Sequence, residues 1–332
     1  MRAAVIGSGS FGTALANTLA ARCSEVRTWA REPAVVEAIN VRRENTAYLP
    51  GIPISSKVRA TTSMEEALTG AELVVIATPS HATREVMRGA VQFLPEHVPL
   101  VTVSKGIENE TLLTMTQLLE DCLPEQFHTS IAILSGPSFA KEMAAGMPTV
   151  VTVASHFEKV AHKVQSALQT ESFRTYTSTD VIGVELGGAL KNVIAIAAGI
   201  ADGLGFGLNA RSALITRGLA EISRIAVRMG ANPLTLMGLS GLGDLVLTCT
   251  GDLSRNRRVG IELGKGRKLE DILAGMNQVA EGVKTARSAR DLSRRVGVEL
   301  PICDQVFAIM YEGKEPRRAV VELMTRAPKA ED

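Results

Sequence analysis

The chain has 332 residues, 45% of them hydrophobic, with 36 basic against 35 acidic side chains. That length suits one large or two ordinary domains, and a net charge of +1 excludes the basic excess of a general nucleic-acid binder. The four cysteines, Cys23, Cys122, Cys249 and Cys303, form no CxxC pair, which excludes a zinc site or disulfide framework and points to reduced thiols in the cytoplasm, with no metal expected.

Taken in chain order, the first half alternates β-branched runs with helical stretches. Strands are expected at Ala3–Gly7, Val26–Trp29, Leu73–Ala77, Leu100–Ser104, Ile131–Leu134 and Val150–Val153. Helices are expected at Phe11–Arg22, Pro33–Arg43, Ala82–Phe93, Leu112–Cys122 and Phe157–Gln169. This βαβα rhythm predicts an α/β, Rossmann-like, doubly wound parallel sheet. The opening MRAAVIGSGSFGTAL is too broken by glycine and serine to read as a secretion signal. After Thr177 only helices are expected: Ile182–Ala201, Asn209–Met229, Leu234–Met237, Arg255–Lys265, Leu269–Ala274, Val283–Arg295 and Pro301–Tyr311. The expected division is therefore a nucleotide-binding domain over 1–179 and an all-α domain over 180–332, with no transmembrane segment, repeat or low-complexity tract.

Gly7-Ser-Gly9-Ser-Phe-Gly12 follows the first strand and opens the first helix. In that context the three glycines serve a tight turn, close approach of a pyrophosphate and close helix–sheet packing. Without that context the motif is only a glycine-rich turn. At the end of the second strand stands Arg31, which can meet a 2′-phosphate or stack on adenine, or simply be solvated. Arg31 favours NADP, while the following Glu32 keeps NAD open. Later strands end in ATPSHA, VSKGIE and LSGPSFAKE, placing Lys105 and Ser138 where such sheets bind ligands. The plain alternative for Lys105 is a loop lysine.

Lys191 lies inside GGALKNVIAIAAGIADG, a helix apolar nearly all round. A buried lysine must snorkel, find a counter-ion or lose its proton. Glu185 is on another face and Asp202 about 16 Å along the axis, so neither is a good local partner. In GLGDLVLTC, Asp244 and Thr248 are spaced i and i+4, sharing one face if helical. Asp244 is a plausible distant partner of Lys191, a substrate acceptor, or a plain helix cap. SRNRR, Ser254–Arg258, opens another helix with the donors of an anion site, or is a basic surface turn.

Together these blocks resemble the bacterial-type NAD(P)-dependent glycerol-3-phosphate dehydrogenases. The resemblance is densest over GALKNVIAIAAGIADGLGFGLN, Gly188–Asn209, and extends to GSGSFGTALA, SKG, SGPSFAKE, GLGDLVLTC, SRNR and VAEGVKTA. It implies cofactor contacts from Ser10, Phe11, Arg31, Lys105, Ala140, Arg255, Val279 and Glu281, besides Gly7, Gly9 and Gly12. It implies substrate contacts from Lys105, Gly136, Ser138, Lys191, Asp244, Ser254, Arg255 and Asn256. Lys191 becomes the proton acceptor, its pKa held down by Lys105, with Asn192 and Thr248 in support. The implied partner is a small phosphate substrate, without nucleic acid or integral membrane association, and a homodimer stays open. Two rivals remain. The 3-hydroxyacid and 6-phosphogluconate dehydrogenases space Lys and Asn four apart, whereas here Asn192 adjoins Lys191 and position 195 is Ala195. A non-catalytic NADP sensor would need the glycine motif but not Lys191, Asp244 and the Ser-Arg-Asn site together.

Overall fold

The β-branched runs form strands buried on both faces, as parallel α/β sheets require. In the computed structural model, which describes residues 1–276, 278–328 and 330, the strands are β1 (Arg2–Ile6), β2 (Glu25–Trp29), β3 (Glu44–Asn45), β4 (Leu49–Pro53), β5 (Val58–Thr61), β6 (Leu73–Ile76), β7 (Leu100–Thr102), β8 (Ile131–Ser135), β9 (Thr149–Ala154) and β10 (Phe173–Ser178). The first-half helices are α1 (Ser10–Ala20), α2 (Pro33–Glu37), α3 (Met64–Leu68), α4 (Thr83–Ala90), α5 (Met115–Cys122), α6 (Ala140–Ala144) and α7 (Glu158–Leu168). Then follow α8 (Val181–Gly203), α9 (Leu208–Arg228), α10 (Pro233–Leu236), α11 (Asp244–Thr250), α12 (Arg255–Gly264), α13 (Leu269–Ala274), α14 (Glu281–Val296), α15 (Pro301–Tyr311) and α16 (Pro316–Met324).

Eight strands make one sheet in the order β10-β9-β8-β7-β6-β1-β2-β5, and β3 pairs with β4 in a separate hairpin. Alternation along β1 sends Ala3 and Val5 into one core layer and Ala4 and Ile6 into the other. The expected doubly wound α/β architecture is present, with one correction. The sheet is mixed, because β8 and β9 run antiparallel, Leu134 opposite Val153. The segment 136–148 between them holds only the five-residue α6. Such a helix spans about 7.5 Å against about 17 Å for a strand, too little to carry the chain back for a parallel crossover.

Other expectations need adjustment. Pro33–Arg43 is not one α-helix: α2 gives way to a π-helical turn at Ala38–Arg42, and Arg43 ends it in the left-handed region at φ 55°. The helix expected from Leu112 starts at Met115, because Leu112 has φ 61°. Strands β3, β4, β5 and β10 and helices α3, α6 and α16 were not anticipated.

At each edge of the large sheet, side-chain amides satisfy the outward backbone groups of one residue, and on β5 Arg43 also donates to Val58 O at 3.1 Å. On β5, Asn40 donates to Ala60 O and accepts from Ala60 N, both at 2.8 Å. On β10, Gln165 donates to Thr175 O at 2.7 Å and Gln169 accepts from Thr175 N at 3.3 Å.

The described residues from 181 onward form helices around α8. Asp180 caps α8 through Gly183 N at 3.0 Å. Its 23 residues are long and apolar enough to cross a membrane, yet 94% of its most apolar window is buried inside the protein. It is the axis of the helical core. Helix α12 lies against it backbone to backbone. A Cβ on Gly199 would fall 2.1 Å from Arg257 O, and one on Gly260 2.1 Å from Ile196 O. Gly203 and Gly264 repeat the contact one turn on. Side chains are excluded there, so the two helices are held at one spacing.

Candidate active site

The glycine motif builds the nucleotide end. Gly7 has φ +113°, and a Cβ there would strike Ala77 O at 2.6 Å. A Cβ on Gly12 would lie 2.0 Å from Gly7 O, so both positions are closed to side chains. Gly9 is different: nothing lies within 4 Å of where its Cβ would be. It precedes α1 with no side chain capping the helix and no acidic residue in the first turn. Free amides facing open space suit a dinucleotide diphosphate, so the residues present fit an NAD(P) cofactor. Ser10 and Phe11 form the first turn of α1, and Ala140 opens α6, packed beside the same layer. Arg31 projects from the end of β2 with its side chain 83% exposed, and among the described residues it pairs only with Glu32, at 3.0 Å.

The centre is a carboxylate shared by two lysines. Asp244 Oδ2 meets Lys105 Nζ at 2.7 Å, and Asp244 Oδ1 meets Lys191 Nζ at 2.9 Å. Lys191 also donates to Thr248 Oγ1 at 2.7 Å, and that hydroxyl donates to Asp244 O at 2.6 Å. The expected i, i+4 face of Asp244 and Thr248 thus exists. Local backbone explains how it reaches α8. A π-helical turn, Leu239–Gly243, precedes α11, and Gly187 lets Ser240 O approach to 2.6 Å of its absent Cβ. Lys191 is 6% exposed and Asp244 2%. Burial pulls the Lys191 ammonium down to about 8; Asp244 pushes back up, and Lys105 pulls down again. Lys105 also donates to Gly136 O at 3.1 Å, which Ser138 Oγ reaches at 2.9 Å. Gly136 has φ +142°, its backbone pressed on Val151.

The third part is the amino end of α12. Ser254 caps it, accepting from Arg257 N at 3.2 Å. Asn256 donates to Asn192 Oδ1 at 2.9 Å and accepts from Gly282 N at 2.9 Å, tying α8, α12 and α14 together. Asn192 is therefore a scaffold for Asn256 rather than a free amide. Burial lowers the pKa of Arg255 from its ordinary value, with Glu281 opposing and Arg258 reinforcing. Among the described residues Arg255 makes no ion pair, unlike Arg257, which binds Asp202 at 2.8 Å and Asp252 at 2.9 Å. A half-buried unpaired guanidinium beside a helix amino end suits an anion.

Contacts across the cleft were not anticipated. Glu281 accepts from Ser80 N at 3.1 Å and from the Ser80 hydroxyl, joining α14 to the turn after β6. Gln278 donates to Tyr48 O at 3.3 Å, the carbonyl that also takes Ser10 Oγ at 2.6 Å. Val279 lies beside them, exposed. Ser80 carried one signal, its place just after a strand end; Tyr48 and Gln278 carried none. The structure thus gathers Lys105, Lys191, Asp244 and Thr248 into one cluster, and links Asn192, Asn256 and Gly282 into another. Arg31 makes no contact with either cluster and lies exposed just after β2.

This chain matches the family models for the N-terminus of NAD-dependent glycerol-3-phosphate dehydrogenase over residues 2–161 and for its C-terminus over residues 180–321. It is 73% identical to glycerol-3-phosphate dehydrogenase [NAD(P)+] of Myxococcus xanthus (strain DK1622), covering 100% of this chain and 99% of that protein. Identity to the protein of the same name from Anaeromyxobacter dehalogenans (strain 2CP-C) is 55%, over the full length of both. The crystal structure of glycerol-3-phosphate dehydrogenase from Coxiella burnetii superposes with a TM-score of 0.93 at 37% identity, covering 98% of this chain and 99% of that one. Motifs, fold and full-length similarity agree, and the chain belongs to the NAD-dependent glycerol-3-phosphate dehydrogenase family.

Proposed function

We propose that this protein interconverts glycerone phosphate (dihydroxyacetone phosphate) and sn-glycerol 3-phosphate, as an NAD(P)-dependent oxidoreductase acting on a CH–OH group. Reduction is the physiological direction, supplying glycerol 3-phosphate to phospholipid synthesis in the cytoplasm. The observation that carries the reading is Lys191: a buried ammonium with a pKa of about 8, held by Asp244 and Thr248 on a buried, mainly apolar helix.

The roles follow from chemistry at each position. The amides after Gly7 and Gly9, with Ser10, Phe11 and Gly12, hold the dinucleotide diphosphate, and Arg31 meets the adenosine ribose end, favouring NADPH. When bound, the nicotinamide supplies hydride to the ketone or takes it from the alcohol. Ala140, Val279 and Glu281 line its ring end. Lys191 gives its Nζ proton to the ketone oxygen during reduction and accepts the hydroxyl proton during oxidation. A pKa of about 8 keeps both forms populated near neutral pH. Lys105 and Asp244 set that charge balance and contact the substrate oxygens, with Thr248 orienting the amine. Gly136 and Ser138 line the substrate, and Ser254, Arg255 and Asn256 hold its phosphate, with Asn192 orienting Asn256. The division into residues 1–179 and 180–332 places this chemistry between a nucleotide-binding and a helical domain. Size-exclusion chromatography tests the homodimer left open by the sequence.

The test is loss of reduced-nicotinamide absorbance with glycerone phosphate, run in parallel with NADPH and NADH. Turnover is expected with both, faster with NADPH, and Lys191→Ala should lower kcat by roughly 10³-fold. Arg255→Ala should raise KM for the phosphate substrate far more than Lys191→Ala does. Folded, nucleotide-binding protein that oxidises neither cofactor would overturn the reading.

A further inference from the structure

Glu185 is a buried carboxylate that the chemistry above leaves unused. It lies on α8, six residues before Lys191, and faces away from it. Its partner is in the sheet domain: Oε1 accepts from Thr116 N and Oε2 from Thr116 Oγ1, both at 2.7 Å. Thr116 is in the first turn of α5, whose amino end favours a negative charge.

We propose that Glu185 is a positioning residue, which fixes Lys105 against Lys191 by clamping the segment between β7 and α5 onto α8. This rests on the reaction assigned above. The segment begins with Lys105 and ends at the bonds to Glu185. Between those points Ile107 is buried in the helical core, and Arg295 of α14 donates to Thr111 O at 3.0 Å and Leu112 O at 3.2 Å. From the sheet side Arg84 grips Glu108 at 2.8 and 2.7 Å. Midway along α8 between the two ends, Gly188 has no side chain. A Cβ there would lie 2.5 Å from Ser135 Oγ and 3.6 Å from the Lys105 stem. The Lys105 stem therefore rests on bare helix backbone, and its height above α8 depends on how firmly the segment is pressed down. A helix is rigid over the roughly 9 Å from Glu185 to Lys191, so a bond at one end sets geometry at the other. Stability alone is a poor reason for the arrangement. Among the described residues Glu185 has no cation at ion-pair distance, and burial raises its carboxyl pKa against the hydrogen bonds that hold it.

The experiment is the pH profile of glycerol 3-phosphate oxidation for wild type, Glu185→Ala, Glu185→Gln and Thr116→Val, with thermal unfolding of each. The acid limb reports Lys191, which faces Asp244, Lys105, Thr248 and the Cys249 thiol. Releasing the clamp withdraws Lys105 and leaves Asp244 to Lys191 alone, and both changes favour the ammonium. Glu185→Ala is expected to move the limb up by about half a pH unit or more and to lower kcat severalfold. Glu185→Gln keeps an acceptor for Thr116 N and offers a donor to its hydroxyl, so it should restore the wild-type limb. If Glu185→Ala does not fold, Thr116→Val, which loses one bond only, should show a smaller shift in the same direction. Folded variants with a lower Tm and an unmoved limb would overturn the proposal. A wild-type protein without turnover would instead overturn the reaction it rests on.

Discussion

A single titrating residue can be followed from burial to rate. Lys191 must be neutral to accept a proton, so oxidation of the alcohol should rise with pH through about 8, and reduction should fall over the same range. Glu221 offers a stability counterpart. It is buried on α9, accepting from Ile302 N at 2.7 Å and Cys303 N at 3.3 Å, and burial pushes its carboxyl up to about 7 from 4.5. Between those values the folded chain keeps a proton that the unfolded chain has released. Stability at this site is therefore present below about pH 4.5 and is lost as pH rises through about 7. Glu221→Gln should remove that slope; denaturant midpoints across that range check it. Lys191 and Asp244 were legible in the sequence because each is a chemical oddity in apolar surroundings, and the i, i+4 spacing of Asp244 and Thr248 is local. Glu185 was not legible. Its partner is 69 positions away on another element, and no spacing rule joins them.

At the scale of elements, the contact between α8 and α12 holds the proposed proton-transfer residue at a set distance from the proposed phosphate site. Gly260→Ala would put a methyl 2.1 Å from Ile196 O. The helices would have to part, costing about 1–3 kcal/mol. The expected outcome is lower stability in urea together with a higher KM for the phosphate substrate, as Ser254, Arg255 and Asn256 move with α12. That α8 is a buried helix could be read from its glycine, alanine and isoleucine content. Which helix its glycines touch could not, because small residues mark a close approach without naming the partner. The antiparallel turn from β8 to β9 was missed for a similar reason: strand direction depends on the reach of the connection, not on the strand residues. Strands β5 and β10 escaped notice because both are half polar, as VRAT and FRTYTS are, and β5 is only four residues long.

Across the whole molecule, the central cluster takes Lys105 from the sheet domain and Lys191, Asp244 and Thr248 from the helices. The segment carrying Lys105 is embedded in the helical core through Ile107, with Leu112 packed beside it. A fragment of residues 1–179 would therefore expose both. It is expected to scatter light and bind a hydrophobic dye where the full chain does neither; a clear, dye-free solution of the fragment would contradict this. The doubly wound character of the sheet was readable from the βα alternation, but its strand order was not. The bridges Glu281 to Ser80 and Gln278 to Tyr48 were not, since each joins residues about 200 or more positions apart.

The amide groups at the sheet edges have a chemical lifetime. Asn40 blocks the β5 edge because one carboxamide carries both a donor for Ala60 O and an acceptor for Ala60 N. Hydrolysis to aspartate keeps the acceptor and replaces the donor with a charge that repels the carbonyl. On β10 Gln169 would keep its acceptor as glutamate and only Gln165 has a donor to lose, and glutamine hydrolyses more slowly than asparagine because its cyclic intermediate is a six-membered ring. In ageing protein, the β5 edge is the one expected to open first and to recruit a second strand.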